Sequence, residues 1–218
     1  MKSHTNIIQG TEAWHEIRYG KIGGSTSKGL FTKGDTLFYE LLAEFTEPFE
    51  MDYDSFETPA MLRGHELEPR ARMELGQFAG VEFTETGWLQ CEDIPLLGIS
   101  PDGITADWKI SCELKCPGNK KHVESALSEE ILPEYIHQCI HYFTVNPHLE
   151  KHYFASYRPE NTYTPLVVRS LTLDSVVNIG TAAKPVLKTV RTCVEMAKIA
   201  ARELQKQIDD AIIKFQQI

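Results

Sequence analysis

The chain has 218 residues and carries 22 Lys and Arg against 31 Asp and Glu, a net charge of −9 at neutral pH. That length supports one ordinary hydrophobic core, and 42% hydrophobic residues with ten Phe, eight Tyr and three Trp exclude disorder as the main state. The acidic balance excludes a protein that coats nucleic acid indiscriminately, since such binding needs many Lys and Arg contacts to phosphate. A local basic channel, or a site whose carboxylates hold metal ions, stays open. No apolar run approaches the roughly 18 residues of a membrane helix, and Met1 to Asn6 leads into no apolar signal core. A soluble, cytoplasmic protein with no membrane partner is therefore expected. Five scattered cysteines, Cys91, Cys112, Cys116, Cys139 and Cys193, do not make a disulfide framework. With no internal repeat and no low-complexity linker, residues 1–218 read as one continuous domain.

In chain order, the first marked feature is charge. Asp35, Glu40, Glu44, Glu47, Glu50, Asp52, Asp54 and Glu57 fall between Gly34 and Leu62 with no Lys, Arg or His among them. Such a run reads as a solvated face; the alternative is a surface that repels DNA and confines it to a channel elsewhere. Thr58-Pro59 reads as an N-cap with Pro at the first helical position, opening a helix through about Ala79-Gly80. Its inward stripe counts as Met61, Gly64, Glu68, Ala71, Leu75 and Phe78, which places one carboxylate among apolar side chains. Glu66 lies about 200° around the helix from Glu68, and Pro69 predicts a kink or a restart. Leu96 to Ser100 reads as a strand leading into the Pro101-Asp102-Gly103 turn, with Trp108 to Cys116 as the returning strand. The chain turns helical after Pro117-Gly118, and Pro133 opens a helix to about Phe143 that Asn146-Pro147 closes. His152 to Tyr157 and Tyr163 to Leu173 read as strands. From Pro185 to Ile218 a long amphipathic helix is expected, apolar at Val186, Val190, Cys193, Ala197, Leu204, Ile208, Ala211 and Phe215. Strands alternating with helices make the fold α/β or α+β.

The segment Ile110 to Cys116 is the most informative. At a period of two, Cys112, Leu114 and Cys116 share one strand face while Glu113 and Lys115 share the other. One face is expected in the core, the other in chemistry or solvent. The bend at Asp102 can aim its carboxylate across a hairpin at Glu113, and Glu68 supplies a third. Three such hard oxygen groups suit Mg2+, and one or two ions there can activate water and neutralise charge on a phosphodiester. Each piece alone is ordinary: Pro-Asp-Gly is a common turn and a Glu-x-Lys pair on a strand is usually solvated. Pro, Asp, ten residues, then Glu-x-Lys is a more specific pattern.

The pattern Pro101-Asp102 followed by Glu113-Leu114-Lys115 resembles the signature of the PD-(D/E)xK nuclease superfamily. More narrowly, the chain is similar to the lambda-type phage exonucleases, the YqaJ-like viral recombinase nucleases. The blocks that carry the resemblance are Gln9 to Gly20, Arg63-Gly64 through Glu68, Ser100 to Gly103, Glu113 to Pro117, and Tyr135 through Tyr142. They run from about Gln9 to Arg158, and the last 60 or so residues carry no motif. The resemblance implies a restriction-endonuclease-like core, a central mixed β-sheet flanked by helices, with a long C-terminal helix. It implies that Asp102, Glu113 and the Leu114 carbonyl bind Mg2+, in two ions that Mn2+ can replace, with Glu68 as a further ligand. Lys115 would orient or deprotonate the attacking water. Gln138 and Tyr142, at i and i+4, match an element beside the active site. Arg18, Ser25 and Ser100 match a pocket for the 5′-phosphate of a DNA end, and Lys121 falls where Arg is expected, giving a point charge in place of a bidentate fork. A homotrimeric ring, 5′-to-3′ resection of linear double-stranded DNA to 5′-mononucleotides, and a phage single-strand annealing protein as partner are further implications, as is a bacterial host cell.

Other readings stand beside these. The same metal set suits an endonuclease, and a non-catalytic DNA-end clamp that loads an annealing protein is the rival from another class. Trp14 is expected to be a core anchor more than a base-stacking residue, and Arg18 could serve in a surface ion pair. His137 and His141 have the i, i+4 spacing of a zinc helix but no Glu after the first His. Cys112 and Cys116 are expected as buried thiols, because only the isolated Cys193 follows Cys139 and a four-Cys cluster lacks its members.

Overall fold

A computed structural model describes residues 1–51, 58–181 and 183–217. Asp52, Asp54 and Glu57 of the acidic run, and Ile218 at the end of the expected tail helix, lie outside the described residues. The rest of the run is solvated as expected: Asp35, Glu40, Glu47 and Glu50 are exposed, while Glu44 accepts the Gly20 N–H at 2.7 Å.

The fold is mixed α/β. Its main sheet has four strands in the order β4 (Gly103–Ile104), β5 (Ile110–Lys115), β6 (Lys151–Tyr157) and β7 (Leu166–Leu171). β5 and β6 run parallel with Glu113 opposite Phe154, and both outer pairs are antiparallel. A parallel pair needs a crossover, here made by α4 (Asn119–Leu127) and α5 (Pro133–Val145). Both faces of β5 and β6 are covered. On one, Cys112, Leu114, Tyr153, Ala155 and Tyr157 pack with Phe83 and with Ala71 and Leu75 of α3 (Pro59–Ala79). On the other, Phe154 joins Cys139, Ile140 and Phe143 of α5. Of the two expectations for the Glu113–Lys115 face of β5, chemistry or solvent, solvent is excluded, because an inner strand of a parallel pair is buried on both faces.

A second sheet, β1 (Lys2–His4), β2 (Trp88–Gln90) and β3 (Gly98–Ile99), lies on the far side of α5. The strand before Asp102 belongs to this sheet, so the hairpin partner of β5 is the short β4 after Asp102 and not Leu96 to Ser100. Gly98 is required where β3 passes Trp88, since a Cβ there would fall inside the indole ring. Among the described residues there are six α-helices. The first two are α1 (Glu12–Arg18) and α2 (Thr36–Thr46).

α3 starts as expected, with the Thr58 side chain accepting the Met61 N–H at 3.2 Å and Pro59 at the first position, and it ends at Gly80 in the left-handed region with φ +69°. It runs through Pro69 without a break. Its buried face is Leu67, Ala71, Leu75 and Ala79, whereas Met61 and Phe78 are exposed; the expected stripe was rotated at both ends. Glu66 is exposed and Glu68 half-buried, on different sides as predicted. The long final helix, α6 (Val190–Phe215), begins later than expected, because β8 (Val176–Asn178) pairs with β9 (Leu187–Thr189) in a hairpin just before it. Val190, Cys193, Ala197 and Ile208 are buried along α6, while Val186 and Phe215 are exposed.

Gly98→Ala is expected to lower unfolding free energy by about 1–3 kcal/mol, the usual cost of overpacking, read from urea denaturation at fixed pH.

Candidate active site

β4 ends at the Gly103–Cys112 pair, so past Cys112 that edge of β5 has no strand beside it. Asp102, the residue before β4, fills the gap: its Oδ2 accepts the Leu114 N–H at 2.7 Å. The N–H and C=O of one strand residue face the same edge, so the Leu114 carbonyl faces Asp102 too. Glu113 is 1% exposed. Its Oε2 accepts the Tyr142 hydroxyl at 2.6 Å, and its Oε1 pairs with the Lys115 ammonium two residues along the same strand face. A buried carboxylate is tolerable only with such partners.

Charge at the cluster is unevenly balanced. Burial pushes the Asp102 carboxyl well above the usual range, and Glu113 and Glu68 add to it against the opposing pull of Lys115. Burial alone would lower the Lys115 pKa, but Glu113 and Asp102 outweigh it and raise it. Burial raises the Tyr142 phenol as well, with Glu113 adding to the shift. Glu68 is raised by burial, partly offset by Arg72.

Arg72, which sequence reasoning did not single out, ties these parts together. Its guanidinium meets Glu68 Oε1 at 2.7 Å and Glu85 Oε2 at 3.0 Å, and its Nε donates to the Asp102 carbonyl. The one sequence signal was the i, i+4 spacing of Glu68 and Arg72. Two further arginines secure the exit of β5: Arg63 donates to the Cys116 carbonyl at 3.0 Å and Arg158 to that of Pro117 at 3.1 Å.

Asp102, Glu113, the Leu114 carbonyl and Glu68 form a set of hard oxygen donors with surplus negative charge, and they fit a divalent cation. Among the described residues no three His, Cys, Asp or Glu side chains are gathered as a ready cage; Glu113 is turned to Lys115 and Tyr142, and Glu68 to Arg72. Gln138, one turn before Tyr142 on α5, makes no hydrogen bond through its amide among the described residues and packs beside Gly24, where a Cβ would stand 2.9 Å from its Cγ.

Of the four residues expected around a 5′-phosphate, the structure joins two, Arg18 and Ser100, through Trp14. The Trp14 indole N–H donates to Ser100 Oγ at 2.7 Å and to the Gly87 carbonyl at 3.1 Å, and the Arg18 guanidinium lies 3.7 Å over the Trp14 ring. Trp14 is thus half-buried and hydrogen-bonded at the site, not a core anchor. Arg18 has no carboxylate partner among the described residues and lies on the Trp14 ring. Ser25 is exposed in the loop that packs Gly24 on Gln138. Lys121 is engaged elsewhere, 2.6 Å from Glu134 and 2.7 Å from Glu124.

The histidine pair does not form a zinc site. His141 Nε2 lies 3.1 Å from the Ile22 carbonyl and 2.9 Å from that of Gly98, and burial lowers its pKa to about 4. His137 instead packs on Phe31, with ring centroids 5.1 Å apart. The five cysteines are free; Cys112 is buried and Cys116 partly so.

The YqaJ-like viral recombinase domain matches residues 13–148, a span that holds Trp14, Arg18, Glu68 and the whole acidic cluster. The chain belongs to this family. The viral recombinase fold is also similar to a crystal structure of an alkaline exonuclease from Laribacter hongkongensis, at 25% identity and a TM-score of 0.72, covering 95% of this chain and 99% of that one. The same exonuclease, solved in complex with dAMP, matches equally well. A phage-related exonuclease from Haemophilus somnus 129PT shares the fold at 13% identity and a TM-score of 0.57, over 89% of this chain and 96% of that one. No curated protein matches the chain. Membership of this family and the alkaline exonuclease neighbour together support a nuclease.

Two outcomes follow from the cluster's electrostatics. A carboxyl raised on folding favours the folded state fully below its unfolded pKa of about 4, and that contribution is lost as pH rises through the higher folded value. Asp102→Asn is therefore expected to raise the melting temperature of the metal-free protein at pH 8 and to leave it unchanged near pH 3.5, measured in a chelator. Tyr142→Phe removes the donor to Glu113 Oε2 and is expected to cost about 1–3 kcal/mol in chemical denaturation at neutral pH.

Proposed function

We propose that the chain is a Mg2+-dependent exonuclease that degrades one strand of linear double-stranded DNA, 5′ to 3′, from a 5′-phosphorylated end. It would release 5′-mononucleotides and leave 3′ overhangs for phage recombination by single-strand annealing. The observation that carries this reading is the meeting of Asp102, Glu113 and Lys115 on the uncovered edge of β5, with Glu68 held beside them by Arg72. The family and the alkaline exonuclease neighbour support it. That neighbour's complex with dAMP, a nucleoside monophosphate, is consistent with mononucleotide release.

Asp102, Glu113, the Leu114 carbonyl and Glu68 would hold the metal, two ions with Mn2+ as a substitute. When bound, the metal supplies charge neutralisation at the phosphodiester and a lowered pKa for water. The chain's own residues do the rest. Lys115, with its pKa raised by Glu113 and Asp102, stays protonated in the resting protein, which favours orienting water and balancing charge over acting as a free base. Tyr142 would fix the Glu113 carboxylate, and the Gln138 amide, which has no hydrogen-bond partner among the described residues, would meet the strand being cut. Arg18, Ser25 and Ser100 would receive the 5′-phosphate, and Lys121 would join them only by leaving Glu124 and Glu134.

The same reading takes residues 1–218 as one nuclease domain, acting in the cytoplasm of a bacterial host. With a net charge of −9, DNA is better held by enclosure than by a flat surface, which favours a homotrimeric ring. A phage single-strand annealing protein would take up the product strand.

Linear and closed circular duplex incubated with Mg2+ test the assignment, with Lys115→Ala alongside. Digestion of the linear DNA alone is expected, and Lys115→Ala should lower kcat by about 10²–10³-fold, the range for loss of one preorganised electrostatic donor. Cutting of the circle would make the same cluster an endonuclease. Binding of ends without cleavage would leave a clamp, and full activity of Asp102→Ala or Glu113→Ala would remove the site.

A further inference from the structure

We propose that Trp14 is the positioning residue that sets the enzyme's preference for 5′-phosphorylated ends, by holding Arg18 and Ser100 as one recognition unit. This rests on the 5′-phosphate reading of Arg18 and Ser100 given above, and it goes beyond that reading by naming what makes the pair selective.

The indole addresses both residues with different parts of itself. Its face carries the Arg18 guanidinium 3.7 Å from the ring centroid, an attraction that orients the planar cation while leaving its N–H edge unused. Arg18 has no carboxylate partner among the described residues, so the ring holds a cation whose charge remains available to an anion. The Gly23-Gly24-Ser25 loop runs beside this cation: a Cβ at Gly23 would lie 3.7 Å from Arg18 Nη2, an ordinary contact distance.

The indole edge acts on Ser100. At rest the Ser100 hydroxyl donates to the Gly87 carbonyl at 2.6 Å and accepts from Trp14 Nε1 at 2.7 Å. A serine hydroxyl has one proton, so donating to a phosphate oxygen means leaving Gly87. Trp14 Nε1 already lies 3.1 Å from that same carbonyl. The carbonyl therefore keeps a donor when the hydroxyl turns, and the indole N–H polarises the hydroxyl toward an anion. Gly87 is fixed as well, because a Cβ on it would collide with the Ile7 carbonyl. Gln9 closes the frame by donating to Thr86 O at 2.9 Å and Pro101 O at 3.0 Å, on either side of Gly87 and Ser100.

The test is kcat/KM on linear duplexes that differ only in a 5′-phosphoryl or 5′-hydroxyl end, for the intact protein, Trp14→Phe, Ser100→Ala and the double variant. Trp14→Phe keeps an aromatic face under Arg18 and removes the N–H. Its phosphoryl-to-hydroxyl ratio is expected to fall about tenfold, the scale of one charge-assisted hydrogen bond, and to fall much less when Ser100 is already Ala. A ratio unchanged in Trp14→Phe, including equal losses on both ends, overturns the role of Trp14. So does full additivity of the two substitutions. An unsubstituted enzyme that does not distinguish the two ends overturns the phosphate-pocket reading itself, a separate outcome visible before any variant is made.

Discussion

A carboxylate at the middle of a buried strand is the constraint around which this molecule is built. Glu113 cannot remain charged inside the sheet without donors on both oxygens, and each donor commits a piece of the fold. Lys115 reaches Oε1 only because both side chains lie on one face of a regular strand. Tyr142 reaches Oε2 only because α5 is pressed onto that face, with nine of its residues buried. The Tyr142 ring is in turn stacked on His152 at 4.1 Å, and His152 Nδ1 meets Ser111 Oγ at 2.9 Å across the β5–β6 pair. The partners of one glutamate thus connect the strand face, the crossover helix and, through Tyr142, the His152–Ser111 pair across β5 and β6.

The edge of β5 obeys a complementary rule. Its backbone needs partners wherever water is excluded, yet the proposed chemistry needs room beside Glu113. The early end of β4 answers both, since a side chain takes over the ladder's work: Asp102 accepts from Leu114 where a further β4 residue would have done so. The cost is a desolvated acid beside another, which is why Asp102 is displaced upward. Arg72 holds the main chain of Asp102 and the side chain of Glu68 at once, so α3 and the strand edge keep a fixed relation although no backbone pairing joins them.

Much of this was legible in the sequence, and the limits have physical causes. The period-two split of Glu113 and Lys115 from Cys112, Leu114 and Cys116, and the Thr58 and Gly80 ends of α3, are local rules and hold. The pairing partner of β5 was misread because β3 and β4 flank Asp102 almost symmetrically, and only long-range packing of Gly98 on Trp88 sends β3 to the other sheet. The α3 stripe rotated because the face that packs on the sheet is Leu67, Ala71, Leu75 and Ala79, which turns Met61 and Phe78 to the exposed side. Arg72 and Trp14 were overlooked or misassigned for one reason: their partners lie at Asp102, Gly87 and Ser100, between 30 and 86 residues away, beyond any spacing rule.

α5 connects what the sequence motifs leave separate. Tyr142 faces Glu113, and Gln138, one turn earlier, packs on Gly24 beside Ser25. A Cβ at Gly24 would stand 2.8 Å from Ile99 and 2.9 Å from Gln138, so the loop approaches the helix as closely as the missing side chain allows. His141, on the same helix, bridges the carbonyls of Ile22 and Gly98, joining that loop to the strand that leads into Ser100 and Asp102. Burial keeps this imidazole neutral, and a neutral ring with Nε2 protonated supplies a donor to both carbonyls without adding a charge near the carboxylates. Of the i, i+4 histidines that suggested a metal in the sequence, His141 is instead a tie between the Ile22 loop and β3, made through backbone atoms that no side-chain motif records.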